Sequence, residues 1–283
     1  MFYSPLRYPG GKNKLAKFVA LICEKNNING HYVEPYAGGA SVALYLLLNG
    51  YVKEITINDL DRSIYAFWYS ILNNTERFCR KIQKTEVTPK NWRKFKKIHS
   101  QKETASLFNL GFATFFLNRT NRSGIIDGGM IGGIKQKGKY KIDCRFKKEK
   151  LIKRIELIAK NKKNIRLYNL DALVLIKKIK RDSRNTIFYF DPPYYLKGPS
   201  LYMDHYKPDN HEEVSEKIKK IKNAKWIVSY DNTPEIKKLY KGFQRKEFLL
   251  TYTASEVRVG GEVLFFDNNL VLPEMFGLIN SRK

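Results

Sequence analysis

The sequence predicts an α/β fold: a parallel sheet whose two halves are separated along the chain by an inserted, strongly basic unit. Three observations point there. Residues 31–58 read as strand, glycine turn, helix and strand, the signature of a βαβ unit. Residues 185–195 read as an apolar strand stopped by two prolines. Between them, residues 62–160 change texture and become rich in aromatic and basic side chains. The expected boundaries are 1–61 and 161–283 for the discontinuous sheet domain and 62–160 for the insert.

Taken in order, HYVEPYAGGASVALYLLLNG gives a short strand, a Gly-rich turn and an apolar helix. EITIND follows as a second strand, because alternating Ile and Thr favour extended chain. The insert opens with SIYAFWYSIL, a helical segment dense in aromatics. Later, QKGKYKIDCRF alternates in the manner of an exposed β-hairpin. The sheet resumes with NIRLYNLD, NTIFYF and KWIVSYDN, each a strand with polar residues at its end. FLLTYTASEVRVGGEVLFFDN reads as two extended segments around a Gly-Gly turn.

Composition narrows the function. The chain of 283 residues holds 53 Lys or Arg against 27 Asp or Glu, a formal charge of +26. Solubility does not need so one-sided a bias, so a polyanionic partner is expected, nucleic acid ahead of an acidic membrane. The densest stretch runs from Lys135 to Arg166, with 14 basic residues against 3 acidic ones. The 43% hydrophobic content excludes a wholly disordered chain. Cys23, Cys79 and Cys144 lie far apart, which suggests neither a disulfide framework nor a zinc site, and the four histidines show no metal-ligand spacing. No apolar run has the length of a membrane span and the N-terminus lacks an apolar signal core, so the expected compartment is a reducing cytoplasm.

FYFDPPY carries the most chemistry. Asp191 emerges at the carboxyl end of a buried strand, where open α/β sheets bind ligands. Pro192 and Pro193 cannot continue a ladder, but their carbonyls still accept hydrogen bonds. Tyr194 adds a flat aromatic face. An amino group on a heteroaromatic ring needs such a set: two acceptors for its two hydrogens and a surface for the ring. A second cluster is VEPYAGGAS, where Gly38 and Gly39 let backbone pass close to a ligand. Asp59, 21 residues after Gly38 on the next strand end, suits the two hydroxyls of a ribose. GxGxxG is absent, so the nucleoside-like ligand need not carry phosphates. Asp61 either shares that work or caps a helix, Lys12 meets a carboxylate, a phosphate or solvent, and Asp171 either binds a ring edge or caps a helix.

With these motifs in order (RYPGGK, VEPYAGGAS, IND, FFLNRTNRSG, NLDA, FDPPY), the chain resembles the Dam-like, D12-class α group of DNA N6-adenine methyltransferases from Arg7 to about Asn269. The resemblance implies a Rossmann-like S-adenosylmethionine-dependent methyltransferase sheet with an inserted target-recognition domain of helices and a β-hairpin. It implies that Tyr8 and Lys12 contact S-adenosylmethionine, that Tyr36, Gly38 and Gly39 surround its methionine part, that Asp59 holds its ribose and that Asp171 lies near its adenine. Ala40 stands where many members have another glycine. Asp191, Pro192, Pro193 and Tyr194 match the catalytic motif, with Asp191 also beside the cofactor. Asn118, Arg119, Asn121, Arg122 and Ser123 fall in a DNA-contacting loop, and Lys135, Lys137, Lys139 and Lys141 in a DNA-reading hairpin over 128–146. The implied partners are double-stranded DNA and a cognate restriction endonuclease, with no membrane, at the nucleoid of a prokaryotic cytoplasm. Cytosine N4 and an RNA adenine stay open as targets, since both present an amino group on a heteroaromatic ring.

Overall fold

The structure, a computed structural model, describes residues 3–7, 13–179, 185–195, 208–252 and 258–274. Helix α1 (Asn13–Lys25) leads to β1 (His31–Glu34), α2 (Ser41–Leu48) and β2 (Glu54–Asn58). The insert then supplies α3 (Arg62–Asn73), α4 (Thr75–Lys84), α5 (Pro89–Ser100), α6 (Leu107–Thr120) and α7 (Lys148–Lys160). The sheet resumes with β3 (Ile165–Tyr168), α8 (Ala172–Ile179), β4 (Thr186–Phe190), α9 (Pro208–Lys219), β5 (Lys225–Asp231), α10 (Pro234–Leu239), β6 (Gln244–Tyr252) and β7 (Arg258–Phe266).

Seven strands form one sheet in the order β3-β2-β1-β4-β5-β7-β6. The first five are parallel to their neighbours, and β7 runs antiparallel to both β5 and β6. From β1 the chain builds outward to β2 and β3, then returns to lay β4 on the other side of β1. The strand order therefore reverses between β1 and β4, and the crevice beyond their carboxyl ends is the ligand position of doubly wound sheets. Every residue of β1 and β4 is buried, because helices cover both faces of the central parallel strands. That is why TIFYF is an unbroken apolar-rich run rather than an alternating one.

The two faces separate by the period-2 rule. Tyr32, Ile55, Ile57, Ile187, Tyr189 and Ile227 join a core with α1, α2 and the insert helices. Val33, Phe188, Phe190, Trp226, Val228 and Tyr230 join the opposite core under α8, α9 and α10. The apolar core of the insert is thus continuous with one sheet face. Phe67 of α3 stacks on Phe115 of α6 with ring centroids 5.9 Å apart. The two helices close because position 111 is glycine: a Cβ there would stand 2.3 Å from the Ala66 carbonyl oxygen. Asp61 caps α3 by accepting from the Ser63 amide at 2.8 Å, which settles that residue as a cap.

Two expectations are corrected. Residues 132–145 are turns, not a β-hairpin, and an isolated Asn121–Met130 bridge is the β pairing found beside them. Gln136 organises this lobe instead: its side chain donates to the Ile131 and Gly133 carbonyls at 2.9 and 2.6 Å and accepts from the Ile142 amide at 2.8 Å. The Gly260–Gly261 pair lies inside β7, paired with Leu250 and Leu249, rather than in a turn.

Candidate active site

The crevice is built from the chain just beyond β1, β2, β3 and β4. After β1 the backbone turns through two left-handed positions, Gly38 at φ 45° and Ala40 at φ 46°. Ala40 thus holds, at some strain, the conformation that glycine adopts readily. The turn is tied down from three sides. The Gly38 amide donates to Oδ2 of Asp59 at 2.9 Å, the Trp68 indole donates to the Gly38 carbonyl at 2.9 Å, and the Ala37 amide donates to the Asn58 carbonyl at 2.8 Å. Gly38 and Gly39 are buried and Tyr36 is half-buried against the second core.

Asp59 ends β2 with one carboxylate oxygen on Gly38 and the other accepting from the Asp61 amide at 3.0 Å. A carboxylate offers about four lone-pair positions, the acceptor capacity that a pair of hydroxyls calls for. Asp171 is the N-cap of α8, accepting from the Leu173 amide at 2.8 Å. Of its two expected roles, capping is the one its bonds display. Asn58, a residue with no signal of its own in the sequence, gathers the loops: its amide donates to the Pro35 and Leu170 carbonyls and accepts from the Leu170 amide, all at 2.9 Å.

Asp191 leaves the end of β4 half-buried, with Oδ1 accepting from the Ser229 hydroxyl of β5 at 2.6 Å. The Tyr189 hydroxyl donates in turn to Ser229 at 3.0 Å. Close by, the fully buried Glu34 accepts at Oε1 from the Tyr32 hydroxyl at 2.9 Å and the Ala43 amide at 3.0 Å. Burial pushes the Glu34 carboxyl up to about 8; the bonds from Tyr32 and Ala43 oppose that shift and the neighbouring Asp191 adds to it. At neutral pH Glu34 therefore holds its proton.

Pro192 is buried and Pro193 half-buried. Tyr194 corrects the sequence expectation of an open stacking face. Only 4% of it is exposed, and its hydroxyl donates to the buried Glu262 of β7. The Tyr195 amide donates to Asp231 at 2.9 Å, and the half-buried Tyr195 ring lies 5.2 Å from that of His211. Burial pushes His211 down to about 4, against the pull of Asp231, so it is neutral where it meets the Tyr230 hydroxyl at 3.0 Å. Ser229, Glu34, Glu262 and Asp231 carried no sequence signal beyond lying at or near strand ends.

The basic residues divide. Arg122, Lys135, Lys137, Lys139 and Lys141 are exposed and Ser123 is half-buried with φ 56°. Asn118 and Asn121 are corrections: both are buried, and their amides are spent on partners within the chain. Asn118 accepts from the Arg7 amide and donates to the Arg7 carbonyl, both at 2.7 Å, and donates to the Gly124 carbonyl at 2.8 Å. Asn121 donates to the Ile125 and Ile126 carbonyls at 3.0 and 2.7 Å and accepts from the Trp92 indole at 2.6 Å. Arg119 is half-buried with its Nε donating to the Arg145 carbonyl at 2.8 Å. Tyr8 and Lys12 lie outside the described residues.

The crevice therefore brings together one carboxyl group at the end of β4, a second at the end of β2, and side-chain-free backbone between them. That set suits a ligand rich in donors and positive charge, as a ribose diol and a sulfonium are. Comparison with known proteins agrees. The family of D12 class N6 adenine-specific DNA methyltransferases matches residues 8–253. The Type II methyltransferase M.MjaIII of Methanocaldococcus jannaschii is 23% identical over 266 residues, covering 86% of this chain and 89% of that protein. Among solved structures, PH1948 from Pyrococcus horikoshii aligns at 12% identity and TM-score 0.43, over 92% of this chain and 83% of that one. The SAM-dependent methyltransferase from Agrobacterium tumefaciens aligns at 10% identity and TM-score 0.42, over 89% of this chain and 59% of that one. Those two likenesses are distant, and the assignment rests on the family match. The chain belongs to the D12 class of N6 adenine-specific DNA methyltransferases, and its reaction is S-adenosylmethionine-dependent methylation of adenine in DNA.

Proposed function

We propose that this chain modifies a specific site in double-stranded DNA, taking an adenine out of the helix and placing its N6 between the Asp191 carboxylate and the Pro192 carbonyl. The observation that carries this reading is Asp191 itself: a carboxyl group at the switch point of the sheet that accepts a hydrogen bond from Ser229. S-adenosylmethionine supplies a methyl group already activated on a sulfonium. Asp59 accepts from its ribose hydroxyls, the backbone at Gly38 and Gly39 accommodates its methionine part, and Tyr8, Lys12, Tyr36 and Asp171 complete its surroundings.

What the protein must improve is the target. The N6 lone pair of adenine is delocalised into the ring and is a poor nucleophile. Asp191 and the Pro192 carbonyl accept the two N6 hydrogens, which turns the lone pair out of the ring plane. Positioning and charge placement supply the catalysis, and no covalent enzyme intermediate is needed. The displaced N6 proton leaves to water. An adenine paired in a duplex cannot reach Asp191, so it is flipped at a cost of a few kcal/mol, offset by phosphate contacts from the insert. Arg122, Lys135, Lys137, Lys139 and Lys141, all exposed, make these contacts.

Asp191→Ala is expected to abolish methylation while duplex binding persists; methylation near the wild-type rate would overturn the assignment. Nucleoside analysis of DNA from a host expressing the chain should show N6-methyladenine; N4-methylcytosine, or methylation of RNA alone, would replace the target. A cognate restriction endonuclease is the proposed partner, supported by the Type II relative. DNA from the expressing host should then resist one specific cleavage. The enzyme works at the nucleoid, and among the described residues no helix is long and apolar enough to cross a membrane.

A further inference from the structure

Arg7, Arg119 and Arg154 gather where the N-terminal segment meets the insert, Arg145 lies beside Arg119, and among the described residues none of the four has a carboxylate partner. The Arg7 guanidinium donates to the Asn121 carbonyl at 3.1 Å. Arg119 donates to the Arg145 carbonyl at 2.8 Å and reaches the Pro5 carbonyl at 3.5 Å. Arg154 of α7 donates to the Ser4 carbonyl at 3.2 Å. Arg7, Arg119 and Arg154 are half-buried and Arg145 is exposed. Among the described residues the ion pairs lie elsewhere, at Glu54, Asp61, Asp127, Glu216 and Glu247.

The four charges feel one another. Burial first, then Arg7, Arg154 and Arg145, push the Arg119 guanidinium down to about 9, and burial with Arg145 lowers Arg7. Arg119, even so depressed, stays charged at neutral pH. Like charges at this density in partly desolvated positions are unfavourable unless an anion joins them. Main-chain carbonyls aim the guanidinium groups of Arg7, Arg119 and Arg154 but supply no neutralising charge, and fixed planar donors of this kind match a tetrahedral oxyanion.

We propose that Arg7, Arg119, Arg145 and Arg154 form a binding site for a phosphate oxyanion, presented by the DNA backbone. The site differs from the lysine-rich lobe over 135–141 in being held in place by main-chain hydrogen bonds and partly desolvated. A phosphate seated there fixes the register of the duplex against the N-terminal segment rather than reading its sequence.

The proposal rests on the reading of the insert as the DNA side. Its test compares Arg145→Gln, Arg154→Gln, the double variant and a control variant with Lys135, Lys137 and Lys139 changed to Gln. Affinity for a long unmethylated duplex is followed against salt, with S-adenosylhomocysteine affinity measured alongside. Each arginine change should weaken duplex binding about fivefold to tenfold at 0.1 M salt, equally for unrelated sequences, and lower the salt slope by about 1. S-adenosylhomocysteine affinity should stay within about twofold, a readout that general damage to the fold would move. Unchanged affinity and slope in the arginine variants would overturn the site. If the lysine control is unchanged as well, the DNA-side reading of the insert fails too. Should Arg154→Gln not fold, the exposed Arg145→Gln decides alone. In a second arm, inorganic phosphate is added at matched ionic strength. Phosphate that stabilises the wild type but not the double variant, with no change in duplex binding, would overturn the DNA assignment in favour of a free anion.

Discussion

The Ser229 hydroxyl donates to Oδ1 of Asp191 at 2.6 Å, across two neighbouring strands, β5 and β4. The register of the sheet makes this contact. Phe190 pairs with Val228, which brings the residue after each pair, Asp191 and Ser229, side by side. Ser229 in turn accepts from Tyr189, so its own proton is directed at the carboxylate. A hydrogen bond to a charged acceptor contributes about 1.5–3 kcal/mol.

Ser229→Ala should therefore lower kcat about 10-fold to 100-fold with little change in KM for DNA, because Asp191 remains but loses the hydrogen bond that links it to β5. Steady-state kinetics on a methylatable duplex check this. A kcat within twofold of wild type would mean that the carboxylate is fixed by other contacts.

Glu34 gives a pH dependence with a definite sign. Its carboxyl is raised from 4.5 to about 8 in the folded chain, mainly by burial. Between those values the folded state holds a proton that the unfolded state has lost. The contribution is complete below pH 4.5 and disappears as pH rises through about 8. Glu34→Gln keeps the acceptor for Tyr32 and Ala43 without the titration. The variant should gain about 2–4 kcal/mol relative to wild type between pH 5 and pH 9, read from urea midpoints. Parallel stability curves for the two proteins would show that Glu34 is not the group responsible.

Much of this was legible in the sequence, for reasons that differ by element. β4 and DPPY were readable because a central parallel strand is apolar on both faces and proline ends its ladder. Asp59 was readable because the βαβ spacing is geometric. The lobe over 132–145 was not, because its alternation of Lys with apolar residues mimics a strand while Gln136 closes turns from within. Asn118 resembled a DNA ligand because a lone amide says nothing about its partner, which here is the backbone of Arg7, 111 positions away. Ser229 was silent for a similar reason: its role depends on a pairing register between strands that sequence alone leaves open.

Asn118 should accordingly behave as a structural residue. Asn118→Ala strands the Arg7 amide, the Arg7 carbonyl and the Gly124 carbonyl in a buried place. The expected loss is about 2–4 kcal/mol of stability, measured by denaturant unfolding. A variant of wild-type stability with selectively weaker duplex binding would return Asn118 to the DNA interface.

Tyr194→Phe separates two roles for the same side chain. If the ring served only to stack on a base, phenylalanine would serve as well, and both stability and rate would be unaltered. The structure instead ends the side chain on Glu262, which is 0% exposed and accepts the hydrogen bond of the Tyr194 hydroxyl. Removing the hydroxyl takes a donor from a buried carboxylate and unties the segment Asp191–Tyr195 from β7, while the bond from the Tyr195 amide to Asp231 keeps the segment in the crevice. Tyr194→Phe should lose about 1–3 kcal/mol of stability and lower kcat severalfold, with S-adenosylhomocysteine affinity changed less than kcat. Calorimetric melting and single-turnover methylation measure the two effects. A variant that melts and turns over like the wild type would restore the stacking role and leave the Glu262 contact without consequence.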